Sequence, residues 1–155
     1  MVNLQLPKCL QKPKAFKFSY MELEISDEIQ MIRERHTEKI IFALREDGIL
    51  CTSCVPDTIM TLEEARFSTR ITNELQENIP HPLLCDLSNV VKMTKECREH
   101  FAGKEHGETF TKSALLVSNP ISKIIGNFFL GLNKPIKPTR LFTNKEKAIE
   151  WLKSS

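Results

Sequence analysis

Chemistry in this chain would have to come from a small set of side chains: the CxxC pair Cys51 and Cys54, four histidines, Asp86, and the hydroxyls of Ser88 and Thr94. A CxxC pair can serve as a redox couple or as half of a zinc site, but redox pairs of this spacing use a helix N-terminus to lower the thiol pKa. Cys51 and Cys54 fall in an expected strand, where residues three apart point to opposite faces. No second CxxC or Cys/His pair completes a site, so neither a metal nor a cofactor is expected. His36, His81, His100 and His106 belong to no nucleophile or metal motif and read as surface imidazoles, the last two flanking the solvated end of one helix. Gly126 and Gly131 lie in or at the end of an apolar helix, so they form no phosphate-cradling loop between strand and helix. Asp86 ends a strand; it could act as a base, but it reads better as an acceptor for backbone donors of the following loop. The expectation is a protein that is not an enzyme.

The rest of the composition agrees with an ordinary globular domain. A chain of 155 residues supports one core of normal size. Its 22 basic and 20 acidic residues leave a net charge of +2, too even for a general nucleic-acid binder. Five cysteines at irregular spacing (Cys9, Cys51, Cys54, Cys85, Cys97) suit free thiols in a reducing compartment, so a cytoplasmic location is expected. Residues Met1 to Phe18 lack the apolar core and cleavage site of a secretory signal, and no stretch approaches the ~20 apolar residues that span a bilayer.

The elements that must position these residues are legible from about Lys39 onward. Residues 1–37 read as an N-terminal arm, in which Phe16, Phe18 and Tyr20 alternate like a strand and Ser26 precedes a short helical pattern through Ile29 and Ile32. Ile40 to Leu44 and Ile49 to Val55 flank the turn pair Asp47–Gly48, which predicts a β-hairpin. Thr61 and Glu64 make a capping box for a helix with Phe67, Ile71 and Leu75 on one face, ending near Asn78. Pro82 to Leu87 reads as a strand buried on both faces, and Thr94 as the cap of a helix ending near Gly103. Ala114 to Val117 is a further buried strand, and Asn119–Pro120 opens a helix carrying Ile121, Ile124, Ile125, Phe128, Phe129 and Leu132. Arg140 to Phe142 predicts a last strand, and Thr143 with Glu146 a capping box for the final helix. The alternation of strands and helices after a hairpin predicts an α/β fold with a mostly parallel sheet.

Two surfaces stand out as candidate sites. The start of the helix at Thr94 offers free N–H groups to an anion, including a phosphate on the protein itself. The helix from Ile121 to Leu132 carries Phe128, Phe129 and Leu130 in succession, which cannot all face one side. It could cover an apolar ligand or meet a second subunit, although core packing accounts for such a stripe more simply. Lys123, Lys134, Lys137 and Arg140 lie near its end and could meet an anionic headgroup, or could simply be solvated.

Asp86, Leu87, Ser88, Val90 and Met93 resemble the segment that leads STAS domains of anti-sigma-factor antagonists into their regulatory helix. Residues 38–155 resemble that domain more loosely. They are most similar to a STAS-like branch without established activity, through Gly126–Phe129, Asn133–Pro135, Ala148, Trp151 and Leu152. The resemblance implies a four- or five-stranded mostly parallel or mixed sheet with an initial β-hairpin and about four helices, and a regulatory role through protein interaction. Asp86, Ser88, Asn89, Thr94, Lys95 and Arg98 would then form the partner-binding surface. Where antagonists present a phosphorylatable serine, this chain has Lys95 and Glu96 after Thr94, which removes the usual switch; Ser88 and Thr94 remain the hydroxyls nearby. STAS domains also resemble the lipid-carrying CRAL-TRIO fold. The alternative reading is therefore a carrier or sensor of a small apolar ligand or lipid, with Ile125, Phe128, Phe129 and Leu132 as the ligand or dimer contacts.

Overall fold

A computed structural model describes residues 31–155, apart from the side chain of Phe128. The strand expected at Phe16–Tyr20 and the helix start at Ser26 lie outside the described residues, while Ile32 sits in a strand rather than a helix.

The hairpin forms where its turn residues require it. Strands β1 (Met31–His36), β2 (Ile40–Arg45) and β3 (Leu50–Cys54) run antiparallel, with Leu44 opposite Leu50 and Ile40 opposite Cys54. Gly48 donates its N–H to the Arg45 carbonyl at 3.0 Å and has φ +80°, a conformation that costs glycine little because it lacks a Cβ. Asp47 keeps an ordinary backbone. Its carboxylate instead accepts from buried Arg45 (Nε 3.0 Å, Nη2 2.8 Å) and pairs with Lys153 at 2.9 Å. Burial alone would raise the Asp47 pKa, but the two cations outweigh it and hold the carboxyl below its usual range.

The chain continues through β4 (Thr58–Met60), α1 (Leu62–Leu75), β5 (His81–Asp86), β6 (Val90–Met93), α2 (Lys95–Ala102) and a short α3 (Lys104–Gly107). It then forms β7 (Phe110–Leu116), α4 (Pro120–Phe128), a π-helical turn (Phe129–Asn133), β8 (Thr139–Phe142) and α5 (Lys145–Lys153). The main sheet has the order β1-β2-β3-β5-β7-β8, parallel from β3 onward, and β4 and β6 form a separate two-stranded parallel ribbon. This is the expected α/β class with a mixed sheet and an initial hairpin. Among the described residues the main sheet has six strands rather than four or five, because β1 adds an outer strand from the end of the stretch read as an arm. Among the described residues the helices number five, plus the π turn, rather than about four.

The helix ends follow the sequence signals with one shift. Thr61 donates its N–H to Glu64 Oε2 at 2.9 Å at the start of α1, and Glu64 also binds Lys39. Glu77 and Asn78 take left-handed φ values after α1 and stop it. Asn119 accepts from Ser122 N at 2.9 Å to cap α4. Helix α5 is capped by Asn144, which accepts from Lys147 N at 2.8 Å, rather than by Thr143.

The sheet separates two cores. On one side Phe42, Leu50, Leu83 and Leu115 pack with Ala65 and Ile71 of α1, Cys97 of α2, and Ile125 and Phe129 near the end of α4. On the other, Cys51, Leu84 and Ala114 meet Ala148 and Leu152 of α5, with Trp151 alongside. Phe67 does not join Ile71 and Leu75. The buried stripe of α1 runs through Ala65, Ser68 and Thr72, small enough for close approach, and leaves Phe67 outside beneath the Arg70 guanidinium. Along β1, Arg33, Glu34, Arg35 and His36 are all exposed, and Arg33 reaches across to the Leu75 carbonyl at 2.8 Å and to Glu77 at 2.7 Å.

Replacing Gly48 with alanine is expected to lower stability by about 1 kcal/mol, because a Cβ disfavours the left-handed turn; urea unfolding reads the change.

Candidate functional site

The loop after β5 is built from its own polar side chains. Asp86 Oδ1 accepts from Ser88 N at 2.9 Å, forming a turn closed by an aspartate. Asn89 donates to the Cys54 carbonyl at 2.8 Å, and Asn119, at the start of α4, donates to the Ser88 carbonyl at 2.7 Å. Asp86, Ser88 and Asn89 are thus brought together, Asp86 and Asn89 fixing the loop through their side chains and Ser88 through its N–H and carbonyl. Thr94 accepts from Cys97 N at 3.3 Å as the cap of α2. Arg98 folds back so that Nη1 donates to the Met93 carbonyl at 2.6 Å, while its Nε is buried without a partner among the described residues. Lys95 alone of these six projects into solvent, 73% exposed, with Glu99 at 3.6 Å. Ile59 and Val91 are exposed on the β4–β6 ribbon, and Lys92 stands beside Val91. Sequence reasoning missed this ribbon, whose strands are too short to show an alternating pattern.

The second candidate region divides. Ile125 and Phe129 are buried, whereas Leu132 is 68% exposed and the neighbouring Ile121 and Ile124 are 49% and 56% exposed. The side chain of Phe128 lies outside the described residues. The expected single helix to Leu132 is α4 followed by the π turn, whose wider winding changes the angular spacing and turns Phe129 inward and Leu132 outward. Gly126 lets α4 approach β8 closely, since a Cβ there would lie 2.5 Å from Leu141 Cδ2. Beneath the π turn lies a cavity of about 40 Å³ lined mainly by Leu83, Leu87, Phe101, Phe110, Ile125 and Phe129, with His106, Ser113 and Thr139 contributing polar atoms. Arg140 does not join a basic cluster at its mouth, because its guanidinium stacks 5.3 Å from the Trp151 ring on the α5 side.

The histidines depart most from expectation. His100 and His106 are not solvated at a helix end: the His100 side chain is 7% exposed and His106 is buried. Both bind one hydroxyl, Thr69 Oγ1, at 2.8 Å from His100 Nε2 and 3.0 Å from His106 Nδ1. The α2–α3 corner at Gly103 folds His106 back against α1, and Phe101 and Phe110 pack on its ring at 4.7 and 5.3 Å. The signal available in the sequence was His106 standing between two phenylalanines, Phe101 and Phe110.

The thiols separate as the strand geometry predicts, Cys51 into the α5 core and Cys54 against the opposite one. Burial pushes Cys51 and Cys85 up to about 11 and Cys97 to about 12, and raises Cys54 further, so all four are held as inert thiols. Among the described residues no cluster of three or more His, Cys, Asp or Glu could hold a metal ion, and no helix is long and apolar enough to cross a membrane.

Fold and site together define an α/β domain with an antiparallel hairpin leading into parallel strands. The chain belongs to the family described as "Domain of unknown function (DUF7793)", which matches residues 42–155. No curated protein matches it. Among solved structures it is similar to an uncharacterized protein with a SpoIIAA-like fold from Shewanella loihica, at 17% identity over 80% of this chain and 93% of that one, with a TM-score of 0.46. It is also similar to an anti-sigma factor antagonist from Mycobacterium paratuberculosis, at 18% identity over 83% and 97% of the two chains, with a TM-score of 0.49. A protein with unknown function from Arthrobacter sp. FB24 matches at 25% identity over 74% and 99%, with a TM-score of 0.27.

Burial, reinforced by neighbouring His100, pushes the His106 pKa from 6.5 down to about 3. Below pH 6.5 the unfolded chain takes up a proton at this position that the folded chain refuses, so this contribution is complete above that value and is lost as the pH falls. Unfolding free energy from urea titrations should therefore drop by about 1.5 kcal/mol between pH 6.5 and 5, and His106→Phe should abolish that part of the slope.

Proposed function

We propose that residues 38–155 form a non-enzymatic, STAS-like regulatory module that docks a protein partner in the cytoplasm, with residues 1–37 as an arm whose last residues add strand β1. The observation that carries this reading is the division of labour around the Asp86 loop. Asp86, Asn89, Thr94 and Arg98 spend their side chains on holding the backbone, and Ser88 contributes its N–H and carbonyl, which leaves a firm platform carrying exposed Ile59, Val91, Lys92 and Lys95. A small apolar centre with cationic neighbours, fixed by a rigid loop, suits an acidic protein surface, because little ordering entropy remains to be lost on docking. Thr94 already uses its hydroxyl as a helix cap, so partner choice on this reading depends on shape and charge rather than on phosphorylation. A second copy of the chain is one candidate partner.

The cavity beneath the π turn favours a second reading, a sensor or carrier of a small apolar molecule. At about 40 Å³ it has room for about one or two water-sized molecules as it stands, so a small ring would enter only as the wall shifts and a lipid with long chains does not fit.

Two measurements separate the readings. Lys95→Glu should weaken a partner captured and identified with the wild-type protein by about tenfold or more, without moving the unfolding midpoint; equal capture counts against this surface. Native mass spectrometry of the purified protein should show a small adduct if the cavity is loaded in cells, and the adduct should vanish on Ile125→Trp, which fills the space.

A further inference from the structure

The hydrogen bonds around Thr69 define the chemistry of the cavity. A hydroxyl has one proton and two lone pairs. Thr69 Oγ1 lies 3.1 Å from the Ala65 carbonyl one turn earlier, an acceptor that takes its proton. Both imidazoles that meet the same oxygen must then be donors, His100 through Nε2–H and His106 through Nδ1–H. His106 is buried among Phe101, Phe110 and His100, where a second ring proton would bring an unsolvated charge, so the ring stays neutral. A neutral imidazole that has placed its proton on Nδ1 carries a bare lone pair on Nε2. His106 Nε2 makes no hydrogen bond among the described residues, and its ring lines the cavity. The remaining lining is mostly hydrocarbon and aromatic ring.

We infer that this cavity is a binding site for a small molecule with an apolar body and a single N–H or O–H donor, which His106 Nε2 accepts. The inference rests on the second reading above, that the cavity takes a ligand, and adds the polar contact that selects it. A hydrocarbon of the same size would leave Nε2 unpaired, and an ether or carbonyl would set acceptor against acceptor. Ile125 of α4 and Phe129 of the π turn form one wall of the cavity, and on this inference that wall shifts to admit the molecule. The tie from His106 through Thr69 to α1 holds the acceptor still while that wall moves.

Pyrrole and furan provide the test, since they share a ring shape and differ in that only pyrrole carries a donor. Titrated into the protein and followed by NMR, pyrrole should shift the Ile125 methyl signals and bind about fivefold more tightly than furan. The ring-nitrogen spectrum of the free protein should show His106 Nε2 unprotonated, and that resonance should move upfield with pyrrole but not with furan. His106→Phe, which preserves the aromatic packing, should bring the two affinities together. Equal binding of the two rings with an unchanged Nε2 signal, or a free protein protonated at Nε2, overturns the role given to His106 and leaves the ligand cavity standing. If neither ring shifts the Ile125 methyls, the cavity holds water at most, and the ligand reading falls along with the inference. Should His106→Phe fail to fold, the nitrogen spectrum of the unaltered protein decides alone.

Discussion

Strand β5 has to satisfy its backbone against parallel neighbours on both edges while its side chains enter two cores at once. Leu83 joins the core beneath α1, α2 and α4, and Leu84 the one beneath α5. A strand in that position has no solvent edge on which to slip, because a shift of one residue would exchange its two faces. Its single irregularity falls at Pro82, which has no N–H to contribute, and there the pairing with β7 shifts between His81 and Leu83. Everything that leaves the upper end of the sheet inherits the register that β5 sets.

The Asp86 loop is the first to inherit it. Asp86 pairs with Leu116 across the β5–β7 register and turns the chain through Ser88, while Asn89 and Asn119 tie the loop sideways to β3 and to α4. The cavity is formed in the same way from below, by Leu83 and Leu115 of adjacent strands, and its roof is the π turn. Loop and cavity are therefore two ends of one arrangement: Asn119 caps the helix whose far end closes over the cavity, and it also holds the loop. A displacement of α4 would be transmitted to the loop through that side chain.

The parts legible in the sequence were those decided by neighbouring residues. The hairpin at Gly48, the capping box of Thr61 and Glu64, and the Asn119–Pro120 helix start are local signals, and each element formed at the expected place. The ribbon of β4 and β6 was not legible, because strands of three and four residues owe their pairing to the helices around them rather than to their own pattern. Thr69, His100 and His106 meet only because the corner at Gly103 folds back onto α1, a contact across more than thirty residues with no periodic trace. The succession of Phe128, Phe129 and Leu130 marked a place where regular winding could not suit every side chain, and the π turn is how the chain resolves it. The residues around the Asp86 loop were singled out by type, but the sequence could not tell side chains consumed in building the loop from those left to face outward.

The row of charges along β1 bears on how the molecule behaves in company. An outer strand with bare amides and carbonyls invites a neighbouring chain to add itself, and continued addition leads to fibres. Here an incoming strand would have to strip water from Arg33, Glu34 and Arg35 before it gained a single backbone hydrogen bond. Crowded in a cell, the sheet is thereby protected from growing through the backbone of this edge, and recognition there is left to side chains that can tell one neighbour from another.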